Sequence, residues 1–189
     1  MRKIKLQISD LKYLSFQLSI TFLLIYVTPF AFLWHSEIAH KFKSFFSGSS
    51  KEIMMSMIVV YFVSVGIFII GILLHELIHG VAFSFFCKNG FKSITFGYSK
   101  KDMVLFTHCK EPLNRIGFWI GSLSPLILLG LIPAVVGILL GRIDFIVFGF
   151  IFSSISVGDI YIVINTRWLS NRATVIDDPD SIGITVMDE

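Results

Sequence analysis

The stretch "IMMSMIVVYFVSVGIFIIGILLHELIHG", residues 53–80, contains no charged residue except Glu76. Its first part, from Ile53 to Leu74, is long enough to cross a lipid bilayer as a helix, because a span needs about 20 apolar residues. Two histidines and a glutamate follow directly, although a charged side chain at the centre of a span costs about 2.5–3.5 kcal/mol on insertion scales. Ionisable residues inside a span are usually part of a functional site. The stretch therefore predicts a membrane helix that carries functional residues.

The whole chain has the composition of a membrane protein. Of its 189 residues, 54% are hydrophobic and only 15% are charged, and the mean hydropathy is +0.80. Apolar runs long enough to span a bilayer cover residues 13–34, 53–87, 116–141 and 145–166, and only Asp159 interrupts the last run. We therefore predict an all-α integral membrane protein with about four transmembrane helices, organised as a single membrane domain over residues 1–189.

The basic residues predict the orientation of these spans. Lysine and arginine precede the first span, cluster in residues 88–114 and follow the fourth span, whereas the loops at 35–52 and 142–144 are mixed in charge. The positive-inside rule places the N-terminus, the 88–114 segment and the tail at 167–189 in the cytoplasm. We expect a multi-pass protein of the cell membrane, surrounded by lipid bilayer, with both termini cytoplasmic. This topology accounts for the net charge of +3, so no nucleic-acid partner is expected.

The segment between the second and third spans has the pattern of a small β-hairpin. Ile94, Phe96 and Tyr98 alternate with other residues, a polar turn follows at 99–102, and a second β-rich run covers 103–107. We expect the hairpin to lie on the cytoplasmic membrane surface. We hypothesise that its edge accepts an extended substrate as an added strand.

Two other cytoplasmic features are less specific. The tail turns from basic to acidic and is either ordered or a partly ordered end of the chain. Cys87 and Cys109 both fall on the reducing side of the membrane in this topology, so we expect free thiols and no disulfide.

The motif "HELIHG" at 75–80 carries the chemistry. On a helix, His75 and His79 lie one turn apart on the same face and can bind one metal ion, with Glu76 beside them. This is the HExxH arrangement, in which zinc lowers the pKa of a bound water toward about 7 and the glutamate is the general base. A chance match, or polar residues satisfied at a helix end, is the alternative. Chance is the weaker explanation, at about one in a hundred from this composition.

A catalytic zinc site needs a third protein ligand and an open position. Asp159 is the first candidate, because it is the only charged residue inside the fourth span. Along straight helices, His75 would lie about 33 Å and Asp159 about 21 Å from the outer surface, both in the cytoplasmic half. A structural hydrogen bond to a neighbouring helix is the alternative role for Asp159.

Other side chains could also supply the third ligand. Glu111 is disfavoured, because it precedes Pro112 in a loop. The remaining candidates lie in cytoplasmic segments that could fold back: His108, Asp177, Asp178 and Asp180. His108 and Cys109 are more typical of a solvated loop than of a metal site. Pro125, with Ser122 and Ser124 beside it, indicates either a wet cavity or an ordinary helix kink.

The sequence resembles the putative zincin peptidases, a family of small multi-span bacterial membrane proteins with an HExxH motif. The resemblance rests on "HELIHG" at 75–80, "HCKEP" at 108–112, "SLSPLILLGLIP" at 122–133, "GD" at 158–159 and "DDPDSIG" at 177–183. It covers the chain from the second span to the tail and implies a bacterial metallopeptidase.

The chain is also similar, more widely, to the site-2 proteases, in which HExxH lies on one spanning helix and a later helix supplies an aspartate. This likeness implies that His75 and His79 are zinc ligands, Glu76 the base and Asp159 the third ligand. The surroundings of the aspartate differ, because this chain has "SVGDIY" at 156–161 where site-2 proteases have an Asp-Gly or Asn-Pro-Asp-Gly pattern.

The function expected from the sequence is that of an integral-membrane zinc metalloprotease. With Zn²⁺ as cofactor, it would hydrolyse peptide bonds of a membrane protein or peptide in or near the cytoplasmic half of the bilayer. A non-catalytic membrane protein that binds or transports metal through the same residues is the alternative, and an inactive partner protein is a third. A metal transporter is expected to have further ionisable residues within its spans. Beyond the HExxH motif and Asp159, the predicted spans contain none. The oligomeric state stays open.

Overall fold

The structure, a computed structural model, describes residues 2–5, 8–100, 104–170, 173–177 and 183–188. The helices within these ranges are α1 (Ile8–Phe45), α2 (Ser50–Ser84), α3 (Arg115–Pro125), α4 (Ile132–Leu140), α5 (Ile143–Ile155) and α6 (Val157–Thr166). The strands are β1 (Arg2–Lys5), β2 (Ile94–Ser99), β3 (Val104–Cys109), β4 (Leu113–Asn114), β5 (Thr174–Asp177) and β6 (Gly183–Asp188). A π-helical segment, Leu126–Leu131, joins α3 to α4.

The long apolar helices agree with the prediction of a mostly helical membrane protein. Within the described residues, three helical stretches are long and apolar enough to cross a membrane: Ser9–Phe45, Ser50–Ser84 and Arg115–Leu140. Helices α5 and α6 meet at an angle of 44° and together could form a fourth span. The run at 145–166 is therefore not one straight helix, because it bends at Ser156, between α5 and α6.

Local sequence signals set several helix ends. Helix α2 begins with a capping box, in which Ser49 accepts the backbone N–H of Glu52 and the Glu52 carboxylate accepts the N–H of Ser49 at 2.8 Å. Asn114 caps α3 by accepting the N–H of Gly117 at 2.7 Å. Helix α4 ends at Gly141, whose φ of +65° suits a residue without a side chain.

Helix α2 has a single buried face. Its buried residues are Gly71, His75, His79, Gly80 and Phe83. Four of them follow one another at intervals of four residues, which places them along one side of a helix with 3.6 residues per turn. All of residues 54–70 except Gly66 are exposed. The apolar N-terminal half of α2 therefore has little protein packed on it, as suits a helix surrounded by lipid.

The buried face of α2 meets two other helices at contacts between a glycine and a phenylalanine ring. A Cβ at Gly71 would lie 2.1 Å from the ring of Phe152 in α5, and a Cβ at Gly121 of α3 would lie 2.1 Å from the ring of Phe83. These contacts are possible only because glycine has no side chain. They bring α3 and α5 against the part of α2 that carries the HExxH motif.

The strands form two antiparallel sheets. Strands β2 and β3 pair from Ile94↔Cys109 to Ser99↔Val104, so the predicted hairpin is confirmed. The second sheet has the order β1-β6-β5-β4 and joins the N-terminal strand to the tail. No pattern in the sequence predicted this sheet. The tail is ordered over residues 173–177 and 183–188, which favours the first of the two alternatives for it.

A core connects the four-stranded sheet to the C-terminal end of α2 and the N-terminal end of α3. Its buried residues come from α2, α3, β3 to β6 and the segment after α6: Phe83, Cys109, Leu113, Phe118, Leu169, Ala173, Val175, Ile184 and Val186. The sheet therefore packs directly against the end of the helix that carries the motif.

Gly71→Ala is expected to destabilise the protein. The new methyl group would overlap the ring of Phe152, which is buried and 1% exposed. We expect the free energy of unfolding to fall by about 1–3 kcal/mol, measured by thermal unfolding in detergent micelles. Gly66→Ala on the same helix meets nothing within 4 Å, and should be neutral or slightly stabilising. Equal melting temperatures for the two variants would contradict this account of the packing.

Candidate metal centre

Three ionisable side chains from two helices converge in the structure. His75 and His79 of α2 place their Nε2 atoms 3.2 Å apart. Asp159 of α6 lies beside both, with Oδ2 at 3.5 Å from His75 Nε2 and Oδ1 at 3.4 Å from His79 Nε2. The structure therefore brings together the three residues that the sequence singled out as a metal group.

The arrangement fits a tetrahedral metal ion such as zinc. Ligand atoms about 2.0–2.1 Å from zinc in a tetrahedral site lie about 3.3 Å from one another, which is close to the 3.2 Å between the two Nε2 atoms. The Asp159 carboxylate turns a different oxygen toward each imidazole. With one ligand atom from each residue, all three atoms lie within 4.8 Å of one another. The Nδ1 atom of His79 is 3.0 Å from the backbone carbonyl of Gly121. Donation of its N–H to that carbonyl leaves the lone pair on Nε2, which faces the group. His75 and His79 are buried, whereas the Asp159 side chain is 20% exposed, so the group is accessible from one side.

Glu76 is positioned by a residue that the sequence did not reveal. The hydroxyl of Thr107 in β3 lies 2.8 Å from Oε2 of Glu76 and 2.8 Å from the Glu76 backbone carbonyl. Its single proton can serve only one of these acceptors at a time. The β-rich run at 103–107 predicted a strand, but nothing in that run indicated contact between its threonine and Glu76.

The metal group and Glu76 line one cavity, which we call the central cavity. Its volume is about 330 Å³. Its walls include apolar side chains of α2, α3 and α6 and the polar side chains of Thr107, Ser122 and Tyr161. The cavity therefore offers hydrogen-bonding groups next to the metal group within largely apolar walls.

Glu111, one alternative third ligand, has a different role. Its carboxylate accepts the backbone N–H groups of Lys88 at 2.7 Å and Asn89 at 3.2 Å, the Asn89 side-chain amide at 2.8 Å, and the hydroxyl of Ser93. These hydrogen bonds, the one from Ser93 first, lower the pKa of Glu111 from 4.5 to about 2. Glu111 therefore holds the segment after α2 against the segment after β3, and its carboxylate is already engaged there.

His108 and Cys109 lie in strand β3, so the expectation of a solvated loop for them was wrong. Cys109 is buried, and its Sγ is 2.7 Å from Sγ of Cys87, with both thiols free as expected. Burial first, and then the Cys109 thiol, raises the pKa of Cys87 to about 12, so this thiol is protonated at neutral pH. A protonated thiol is a poor metal ligand and nucleophile.

The remaining alternatives for the third ligand are His108 and the aspartates of the tail. Among the described residues, the group of three contains His75, His79 and Asp159 and does not include His108. Asp177 ends β5, and Asp178 and Asp180 lie outside the described residues. Ser122 lines the central cavity, and Pro125 lies where α3 gives way to the π-helical segment.

The sequence profile of the family described as "Putative zincin peptidase" matches residues 68–172, which is more than half of the chain. The chain belongs to this family. No curated protein and no solved structure matches it, so these comparisons give no support to the wider likeness to site-2 proteases. The matched range of the zincin peptidase family contains the motif helix residues, Thr107 and Asp159. Membership in a zincin family implies a zinc-dependent peptidase, which agrees with a metal group of this kind.

Asp159→Ala is expected to reduce the zinc content of the purified protein. Removal of the carboxylate leaves two imidazoles, too few for a stable zinc site. We expect about one zinc per wild-type chain and much less in the variant, measured by elemental analysis in detergent. Asp144→Ala is the matched control, because Asp144 is exposed and pairs with Arg142 away from the group. Full zinc content in Asp159→Ala, or a wild type that cannot be loaded, would contradict the proposed ligand set.

Proposed function

We propose that the protein is an integral-membrane zinc metalloprotease that hydrolyses peptide bonds in or next to the cytoplasmic half of the bilayer. One observation carries the proposal. The ligand atoms of His75, His79 and Asp159 converge beside Glu76 in one cavity, in a chain of the zincin peptidase family. The proposed roles are zinc ligands for the first three residues and general base for Glu76.

The chemistry divides between the cofactor and the chain. A zinc ion, when bound, supplies Lewis acidity that polarises a carbonyl group and lowers the pKa of water. Glu76 accepts a proton from the attacking water and then donates it to the leaving amine, so one carboxylate serves both halves of the reaction. Thr107 orients the Glu76 carboxylate through its hydroxyl. Ser122 and Tyr161 offer hydrogen bonds to the substrate backbone.

The hairpin is the proposed support for an extended substrate. Leu105, Phe106 and Thr107 of β3 all line the central cavity. A polypeptide must unwind before its backbone is open to attack, and a neighbouring strand can hold the unwound backbone by main-chain hydrogen bonds. This arrangement supports strand addition at β3 as the way in which substrate enters.

Strand addition predicts that the substrate needs its backbone N–H groups near the scissile bond. N-methylation of a peptide substrate two residues from the cleaved bond should lower kcat/KM at least about tenfold, because lost main-chain hydrogen bonds weaken binding. The same methylation near the peptide terminus should have little effect. The measurement is kcat/KM for the two methylated peptides in micelles. Equal kcat/KM values for both peptides would exclude strand addition.

The proposed location is the cell membrane of a bacterium, with both termini in the cytoplasm. Strand β1 pairs with β6, so the beginning of the described chain and its tail lie in one sheet. Ends joined in one sheet lie on the same side of a membrane, which supports an even number of spans. The basic residues before the first span, and Arg167 and Arg172 directly after the last one, support the cytoplasmic side.

The alternative is a membrane protein that binds or transports metal without catalysis. A transport path would need further ligands along the spans. Within the described ranges, His75, His79 and Asp159 form the one group of three metal-ligating side chains. This favours a fixed metal centre over a path for metal transport.

Glu76→Gln should abolish hydrolysis and leave zinc content unchanged. The amide cannot accept the proton of the water, so we expect a loss of at least about 100-fold in kcat on a mixture of synthetic apolar peptides in micelles. Glu52→Gln is the control, because Glu52 is an exposed capping residue at the start of the same helix. Undiminished hydrolysis in Glu76→Gln would exclude Glu76 as the base. Metal binding without hydrolysis in the wild type would favour the alternative.

A further inference from the structure

A second cavity lies next to the central cavity and further toward the N-terminus of α2. Its volume is about 420 Å³. The α2 side of its wall is a stripe of apolar residues at helical spacing: Phe68, Ile69, Ile72 and Leu73. This stripe lies directly before His75 and Glu76 along the same helix.

The two cavities meet at the metal centre. His75, Glu76, Leu105 of the hairpin and Ile155 of α5 line both cavities. A polypeptide that passes from one cavity into the other would therefore cross Glu76 and the metal group. Residues on either side of its scissile bond would then lie in different cavities.

The lining of the second cavity selects the kind of side chain that it can hold. Apart from the shared His75 and Glu76, its polar group is the hydroxyl of Tyr98, which pairs with Leu105 across the hairpin. An acidic side chain placed there would lose its hydration without a partner of opposite charge, which disfavours its binding. A large apolar side chain loses nothing and gains contact with the stripe.

We infer that the second cavity is a substrate subsite, which receives a large apolar side chain next to the scissile bond. The inference rests on the proposed protease function and identifies the substrate as an apolar polypeptide segment rather than a polar loop. The occupant is a polypeptide side chain because His75 and Glu76, at the place where a peptide bond would be cleaved, also line this cavity. An acyl chain of a lipid is the competing occupant.

Ile72→Trp tests the inference, because a larger side chain at this half-buried wall position fills the cavity. Ile70→Trp is the matched control: the same substitution on the same helix, at a residue that is 58% exposed. The probes are synthetic peptides in detergent micelles, based on one that the wild type cleaves. They are identical except for leucine, alanine or aspartate at each position next to the scissile bond.

At one of the peptide positions next to the scissile bond, we expect the wild type to prefer leucine to alanine by about tenfold or more in kcat/KM. Ile72→Trp should remove most of this preference, and Ile70→Trp should retain it, with equal zinc contents in all three proteins. No preference in the wild type, or the same preference in Ile72→Trp, would overturn the inference while leaving the protease function intact.

A binding measurement separates failure of the inference from failure of the proposed function. If the zinc-loaded wild type cleaves none of a library of apolar peptides, the proposed function fails. If the wild type does cleave, peptide affinity in the Glu76→Gln background tests the subsite independently of turnover: Ile72→Trp should raise the Kd of the leucine peptides about tenfold and leave that of the alanine peptides unchanged. Loss of co-purified lipid from Ile72→Trp, with unchanged peptide affinity, would assign the cavity to an acyl chain and overturn the inference.

Discussion

The arrangement of the helices depends on one constraint, which is that ionisable groups inside apolar helices must satisfy one another. A carboxylate left alone in such surroundings costs several kcal/mol, because apolar side chains do not solvate its charge. Asp159 meets this constraint by lying 3.4 and 3.5 Å from two imidazole nitrogens. Helix α6 is therefore held against α2 at one position along its length. A cluster of this kind adds little net stability, so its effect is to specify the alignment of two helices.

Close packing around the centre converts that alignment into a defined geometry. Gly121 has two effects, because it lets the ring of Phe83 approach the backbone of α3 and its carbonyl oxygen lies 3.0 Å from Nδ1 of His79. A larger residue would push α3 away and remove the partner that orients the imidazole. On the other side of the centre, Thr107 connects the hairpin to Glu76. The centre is thus held by a helix backbone and by a strand, two elements with few internal degrees of freedom.

The sequence contained the residues of the centre but not the contacts that assemble it. The spacing of His75 and His79 predicts a shared helical face, and Asp159 is the single aspartate in an apolar run. These three positions could therefore be identified from the sequence. The estimate from straight helices placed Asp159 about 12 Å from the level of His75, whereas the two side chains lie 3.5 Å apart. A hydropathy pattern shows neither the relative depth of two helices nor the bend between α5 and α6. The pairing of residues 2–5 with 183–186 could not be predicted from the sequence either. Backbone hydrogen bonds join any two strands, and composition does not identify the partner.

The pairing of β1 with β6 also orders events during synthesis. Strand β1 leaves the ribosome early, but its partner is made only after every membrane helix and after Asp159. The four-stranded sheet, which packs against the end of α2 through Phe83, therefore closes late. Contacts between segments so distant in sequence form slowly, because the entropy of closing a long loop must be overcome first. A nascent chain thus carries the HExxH motif long before it can assemble the metal centre, and a prematurely released chain that lacks α6 would have no third ligand at all.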